Sequence, residues 1–486
     1  MSAPRFLTVE TACAAAAEAA PWMAASTPAD RAVLLEALAD AIDAASADLV
    51  PIAGQESRLP EARLIGEVAR TSGQLRLFAE VVREGSFLEV TVDHPRADLT
   101  PPRPDLRRCL APLGPVAVFT ASNFPFAFST LGNDTASALA AGCPVVVKTH
   151  PGHPRLTEAV MAVADKALSA VGAPAGVLTA VGPALEVGVE LIEDRRIGAV
   201  GFTGSARGGF ALQQIAQNRA VPIPFYGELG SINPVFVTAA AAAERAGSIA
   251  AEYVASFTLG SGQFCTKPGL FVAPRSEGLR TALRSAVAAV TPAEMLNDTI
   301  RGAFVAGLGR LQEIDGVEVV HPGGVLDDAA VAPTLLAVPV SRLLEAEQLL
   351  EECFGPVSLV VEYEDEAALV DVARTVPGVL TATVIAQGGE PVLAPLIEVI
   401  RQRAGRVIWN GWPTGVAVTW AQHHGGPFPS TTNALHTSVG ASAVRRFLRP
   451  VVWQGWPDEL LPAAVQESNP WALPRRVDGV LETAST

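Results

Sequence analysis

The apolar positions of this chain change period several times, and each change marks an element. Residues 9–84 are rich in alanine and place their apolar groups at helical spacing; within 30–42 the leucines and Ile42 share one stripe. Thr27-Pro28-Ala29-Asp30 makes a helix entry, with Thr27 as cap and Pro28 in the first turn. These helices are expected to pack around a later sheet. Residues 87–92 alternate apolar and polar. A proline-rich return (Pro101, Pro102, Pro104) then leads into Leu106-Arg-Arg-Cys-Leu, the pattern of a hairpin standing off the main body.

From residue 116 the rhythm becomes strand, helix, strand. Apolar runs at 116–119, 144–148, 177–181 and 199–203 alternate with helical stretches at 129–141, 155–171 and 185–193. A second unit follows Glu228, with strands at 234–237, 270–273, 358–362 and 406–410 and a helix over 239–259. This alternation predicts an α/β fold with a parallel, doubly wound sheet, whose ligands sit at the carboxyl ends of the strands. Asn123, Lys148 and Thr203-Gly204-Ser205 each follow a strand in that way. Residues 441–448 read as helix, and 451–456 as a strand that would be a lone edge in need of a partner sheet. The last thirty residues read as a tail wrapped on the surface or on a neighbour.

Length and charge narrow the field. At 486 residues the chain is too long for one compact core and suits two or three domains. A net charge of −15 argues against nucleic acid, whose phosphates need clustered cations. The five cysteines (Cys13, Cys109, Cys143, Cys265, Cys353) are odd in number and widely spaced, so no disulfide framework is expected and a reducing compartment is. No apolar run is long enough to span a bilayer, and the first residues lack a signal-peptide pattern, which predicts a cytoplasmic protein.

One stretch stands out chemically: 258–267, Thr-Leu-Gly-Ser-Gly-Gln-Phe-Cys-Thr-Lys. Its cysteine lies in a glycine-rich turn, where a backbone can approach a ligand closely. Thiolate attack needs a cysteine, a stabiliser for the oxyanion and a base for the second step. Cys265 is the candidate nucleophile, Asn123 the oxyanion donor and Glu228 the activator of water. Each has a plain alternative: a small buried hydrophobe, a turn residue and a solvated loop carboxylate. Gly201-Phe-Thr-Gly-Ser opens a helix and suits a pyrophosphate. Lys148 could bind ribose or phosphate, or simply cap its strand in water. His423 and His424 are adjacent and point apart, with no cysteine or carboxylate at ligand spacing, so no metal site is predicted. Two rivals stay open: a cysteine hydrolase using His423 or His424, and a non-catalytic binding protein.

Taken together, the motifs resemble the aldehyde dehydrogenase superfamily along nearly the whole chain. The pieces are Ser-Asn-Phe-Pro-Phe at 122–126, Val-Val-Val-Lys at 145–148, Gly-Phe-Thr-Gly-Ser at 201–205, Glu-Leu-Gly-Ser at 228–231, Gly-Gln-Phe-Cys-Thr at 262–266 and Glu-Cys-Phe-Gly-Pro at 352–356. The resemblance implies a Rossmann-like cofactor domain (1–86 and 111–228), an α/β catalytic domain (229–447) and a small bridging and oligomerisation β-sheet (87–110 and 448–486). It implies Cys265 as nucleophile, Asn123 as oxyanion donor and Glu228 as general base. It further implies Lys148 on the adenosine ribose, Gly204 and Ser205 at the pyrophosphate, Glu352 on the nicotinamide ribose and Phe354 against the nicotinamide. A homodimer or homotetramer would follow.

The departures are informative. Many members have a glutamate that repels a 2′-phosphate where this chain has Pro151, in Lys148-Thr-His-Pro. That implies NADP as the preferred cofactor, with NAD possible, and Lys148 and His150 facing the phosphate. Ser122 replaces the usual tryptophan. Glu228 is often absent in coenzyme A-acylating relatives, so its presence implies hydrolysis to the free acid. Lys-Thr-His-Pro-Gly-His-Pro, Phe-Cys-Thr-Lys-Pro-Gly and the late His424-Gly-Gly-Pro-Phe-Pro-Ser resemble the 2-oxoglutarate semialdehyde (2,5-dioxopentanoate) dehydrogenases, with medium- and long-chain aliphatic aldehyde dehydrogenases as the alternative. A substrate carboxylate would need cations, for which Arg103, Arg107 and Arg108 are available.

Overall fold

The computed structural model describes residues 6–326 and 330–483. Four helices come first: α1 (Val9–Ala25), α2 (Pro28–Ala44), α3 (Ser46–Ser57) and α4 (Glu61–Glu84). Thr27 and Asp30 cap α2 reciprocally, each side chain accepting from the other's backbone N–H. The alternation at 87–92 does not make a strand over its length. Gly85 ends α4 in the left-handed region, Ser86–Leu88 form a 3-10 turn and Glu89 takes φ 50°, so the chain turns before it can pair. Strand β1 is therefore only Thr91–Asp93, paired antiparallel with β2 (Leu106–Pro112).

The next unit runs β3 (Val116–Phe119), α5 (Asn133–Ala141), β4 (Val145–Lys148), α6 (Pro154–Ala170), β5 (Leu178–Val181), α7 (Leu185–Glu193), β6 (Ala199–Thr203), α8 (Ala206–Asn218) and β7 (Phe225–Glu228). The strands form one parallel sheet in the order β5-β4-β3-β6-β7. Every residue of β3, β4 and β5 is buried, because helices cover both faces. Strand order reverses between β3 and β6, the position where such sheets bind ligands. Helix α5 starts four residues later than the pattern predicts. Glu67 of α4 accepts the N–H groups of Phe126 and Ala127 at 2.8 and 3.1 Å and holds that stretch as a loop.

A second, seven-stranded sheet contains β8 (Pro234–Val237) and β9 (Leu270–Pro274) at its centre, joined by α9 (Ala239–Thr258). Its order is Glu318–His321, Thr334–Pro339, Val357–Tyr363, β9, β8, Val379–Ile385, Ala404–Trp409. All neighbours are parallel except the Glu318–His321 edge. Thr334–Pro339 and Val379–Ile385 were not anticipated from the sequence.

The strand Leu448–Gln454 finds its partner inside the chain, pairing with β2 over its whole length. Arg475–Val477 and Val480–Glu482 complete that five-stranded sheet, so the final residues are a hairpin as well as a tail. Ala441–Phe447, expected as helix, is a 3-10 turn. Among the described residues no helix is long and apolar enough to cross a membrane.

Candidate active site

The Cys265 loop joins α9 to β9. Gly260, Ser261 and Gly262 take φ of 56°, 56° and 65°, a run of left-handed conformation that only glycine-rich sequence tolerates cheaply. A Cβ on Gly262 would lie 2.2 Å from the Gly355 carbonyl oxygen, so this loop is pressed against the one carrying Glu352 and Phe354. Two buried side chains fix it from behind. Asn233 donates to the carbonyls of Cys265 (2.8 Å) and Lys267 (3.0 Å). The Lys267 ammonium donates to the carbonyls of Cys353 (2.7 Å), Val357 (2.9 Å) and Gly355 (3.2 Å). Lys267 thus ties the cysteine loop to the 352–357 loop.

Three side chains from distant parts of the sequence meet here. Donor atoms of Glu228, Cys265 and His424 all lie within 4.8 Å of one another. His424 Nε2 is 2.8 Å from Glu228 Oε1 and 3.3 Å from Cys265 Sγ. Glu228 Oε2 also accepts from the Ser438 hydroxyl. Burial works against the Glu228 charge, but His424, Ser438 and the Cys265 thiol outweigh it and hold the carboxyl below its usual range. Burial, then the Glu228 charge, push the Cys265 thiol well above its ordinary value. The resting site is therefore a thiol beside a carboxylate.

His424 enters the sequence reading only as one of two possible partners of Cys265 in a hydrolase; its place beside Glu228 in this cluster was missed. Chain distance hid it, because 159 residues separate it from Cys265. Spatially, the statement that no cysteine or carboxylate stands at ligand distance from the histidine pair is overturned. The geometry also speaks to the hydrolase rival. A relay uses both ring nitrogens, one for the nucleophile and one for the carboxylate. Here Cys265 and Glu228 both face Nε2, so His424 cannot pass a proton through the ring between them.

Asn123 lies after β3, half-buried, its Nδ2 donating to the Gln263 carbonyl at 3.1 Å. One N–H of the amide is thus used for positioning, and the second is free for an oxyanion. The carboxyl ends of β4 and β6 carry groups that suit a dinucleotide. Gly204 and Ser205 are exposed at the N-terminus of α8, and Ser205 caps that helix through Gly208 N–H. The Thr149 and Thr203 hydroxyls are buried there without partners. Lys148 Nζ donates to the Pro183 carbonyl at 2.7 Å, and burial lowers its pKa to about 8. His150 accepts from Gly152 N–H at 2.9 Å, and burial lowers its pKa to about 3. It is a neutral ring, so it can meet a phosphate as a donor but not as a cation. Glu352 is raised to about 7 by burial, with Lys267 opposing, and Phe354 beside it is half-buried.

The arginines considered for a substrate carboxylate lie elsewhere. Arg103 pairs with Asp478 and Asp93, Arg107 with Asp105 and Glu467, and Arg108 with Glu89, all around the five-stranded sheet. They serve that sheet and not the cysteine.

The sequence model of the aldehyde dehydrogenase family matches residues 6–449. Alpha-ketoglutaric semialdehyde dehydrogenase 2 of Azospirillum brasilense is 46% identical over 481 residues, 98% of this chain and 92% of that protein. Alpha-ketoglutaric semialdehyde dehydrogenase of Acinetobacter baylyi is 42% identical over 470 residues, 94% of this chain and 88% of that protein. Among solved structures, aldehyde dehydrogenase 21 of Physcomitrella patens superposes with a TM-score of 0.77 over 92% of this chain and 89% of that one, at 22% identity.

Proposed function

We propose that this chain, which belongs to the aldehyde dehydrogenase family, oxidises 2-oxoglutarate semialdehyde to 2-oxoglutarate with NADP preferred over NAD. It is an aldehyde-oxidising oxidoreductase that uses NAD(P). The observation that carries the mechanism is the approach of Cys265 and Glu228, their reacting atoms within 4.8 Å, beside the Asn123 amide that Gln263 positions. Cys265 is the nucleophile: its thiol gives its proton to solvent, and the thiolate adds to the aldehyde carbon. The Asn123 N–H and the Cys265 backbone N–H stabilise the oxyanion. The bound dinucleotide supplies the hydride acceptor. Glu228 then takes a proton from water as that water attacks the thioester, and the acid leaves. His424, its Nε2 2.8 Å from Glu228 Oε1, favours the ionised form of that carboxylate.

Lys148, His150, Gly204, Ser205, Glu352 and Phe354 are the residues that would hold the dinucleotide. Pro151 supports the NADP preference by removing a carboxylate from the ribose side. Self-association is supported by the outer strands of the five-stranded sheet, where Val452, Val480 and Leu481 are exposed. A homodimer or homotetramer is expected, and light scattering after gel filtration reads it. A cytoplasmic location is supported by five free thiols, and cell fractionation tests it.

The substrate test is reduced-nicotinamide absorbance with NADP or NAD and either 2,5-dioxopentanoate or a long-chain aldehyde. Highest kcat/KM for NADP with the dioxo acid is expected. Preference for the aliphatic aldehyde would overturn the substrate and keep the mechanism.

A further inference from the structure

Two of the four arginines of helix α4, Arg63 and Arg70, stand seven residues apart and so on one stripe. The Arg63 guanidinium lies 4.8 Å from the centre of the Phe264 ring and 5.1 Å from that of Phe124, the neighbours of Cys265 and Asn123. Arg70 lies 5.8 Å from the ring centres of Phe124 and Phe128. Phe128 in turn meets His424 edge-on at 6.4 Å. Both cations therefore stand in the aromatic wall around the reacting side chains.

Neither cation is neutralised by an ion pair among the described residues. Glu67, the acid between them on α4, turns inward and is occupied by the N–H groups of Phe126 and Ala127. Arg63 Nη2 donates to the Asn123 carbonyl at 2.6 Å, but its Nη1 is buried with no partner. That Nη1 faces the cysteine loop, since a Cβ on Gly260 would come within 2.6 Å of it. Arg70 uses Nε on Gln74 at 3.2 Å, and its outer nitrogens make no hydrogen bond among the described residues. Burial lowers the pKa of both, and Arg70 senses the charges of Cys265 and Glu228. Half-buried guanidinium groups with unanswered donors are costly to maintain without an anion.

We propose that Arg63 and Arg70 clamp the carboxylate at the far end of the substrate and so select aldehydes that end in an acid group. The proposal rests on the carboxylated-aldehyde reading given above. Planar guanidinium forks suit a carboxylate, and the aromatic rings hold them in place. An aliphatic aldehyde would cover both cations and answer neither.

The test compares kcat/KM for 2,5-dioxopentanoate and for pentanal in wild type, Arg70→Met, Arg70→Lys and Arg63→Met. Calorimetry of 2-oxoglutarate binding is run alongside. Arg70→Met should lower the acid-over-pentanal ratio by about 10- to 100-fold and weaken 2-oxoglutarate similarly, with Arg70→Lys in between. An unchanged ratio, or equal loss on both aldehydes, would mean that the arginines only stack on their rings, and the anchor would be wrong. If Arg63→Met fails to fold, because it also releases Asn123, the Arg70 variants decide. A wild type that prefers pentanal overturns both the anchor and the carboxylated substrate. A folded protein inert to every aldehyde overturns the functional reading, and the 2-oxoglutarate calorimetry still judges the anchor by itself.

Discussion

Replacing Glu228 by glutamine should move two rates in opposite directions. Glu228 raises the Cys265 thiol in the resting site, and in the proposed mechanism it also takes the proton from water in the second step. Reacting atoms of the pair lie within 4.8 Å. Two unit charges at about that separation repel by about 3.5 kcal/mol at an effective dielectric of about 20. Removing one charge therefore raises the thiolate population by on the order of a hundredfold. A less basic sulfur is a weaker nucleophile, which cuts the gain to roughly tenfold or somewhat more. Burial, the larger cause of the raised thiol, stays in place. Iodoacetamide should thus alkylate Cys265 in the variant roughly tenfold faster at neutral pH. Steady-state turnover should fall by about 10²- to 10⁴-fold, the usual contribution of a general base, while the first turnover still gives a burst of reduced cofactor. In wild type, alkylation should keep climbing with pH beyond 9, the ordinary thiol value, because the folded site holds the thiol higher. Slower or unchanged alkylation in the variant would refute the claim that Glu228 restrains the thiol. Full steady-state turnover would refute its role as base.

Three further outcomes are expected. Lys267→Met should orphan three carbonyls and cost about 3 kcal/mol, partly offset by relief of a buried charge; KM for the dinucleotide should rise more than kcat falls, and an unaltered KM would show that the tie to the 352–357 loop does not matter. Pro151→Glu should shift kcat/KM toward NAD, and an unaltered NADP-to-NAD ratio would remove the argument from the missing carboxylate. Zinc ion should inhibit reversibly by bridging Cys265, His424 and Glu228, with recovery on chelation; equal inhibition of His424→Gln would place the ion elsewhere.

What the sequence reveals here follows from how local each feature is. The strands β3 and β4 are legible because burial on both faces makes them unbroken apolar runs. Cys265 and Glu228 are legible because each stands in a short motif whose neighbours constrain it. The place of His424 beside Glu228 and the surroundings of Arg63 and Arg70 are not. Helical spacing reports that Arg63 and Arg70 share a stripe, but not that Phe124 and Phe264 face them. The same limit left Arg103, Arg107 and Arg108 as available cations in the sequence, although in space each is paired with a carboxylate at the five-stranded sheet. Residues 87–92 alternate like a strand, yet the exit from α4 forces a turn through Glu89 first.

The segment that closes over Glu228 also sets the order in which the site comes into being. Thr431 bridges to Glu228, Ser430 accepts from Leu229 N–H, and His424 and Ser438 complete the carboxylate's shell. A ribosome makes Cys265 159 residues before it makes His424. The nascent chain therefore carries Cys265 through the synthesis of most of the second sheet without the histidine and serine that complete the shell of Glu228. Under the proposed mechanism oxidation waits for the carboxyl-terminal segment, and a chain truncated before residue 424 is expected to hold the thiol but lack a finished catalyst.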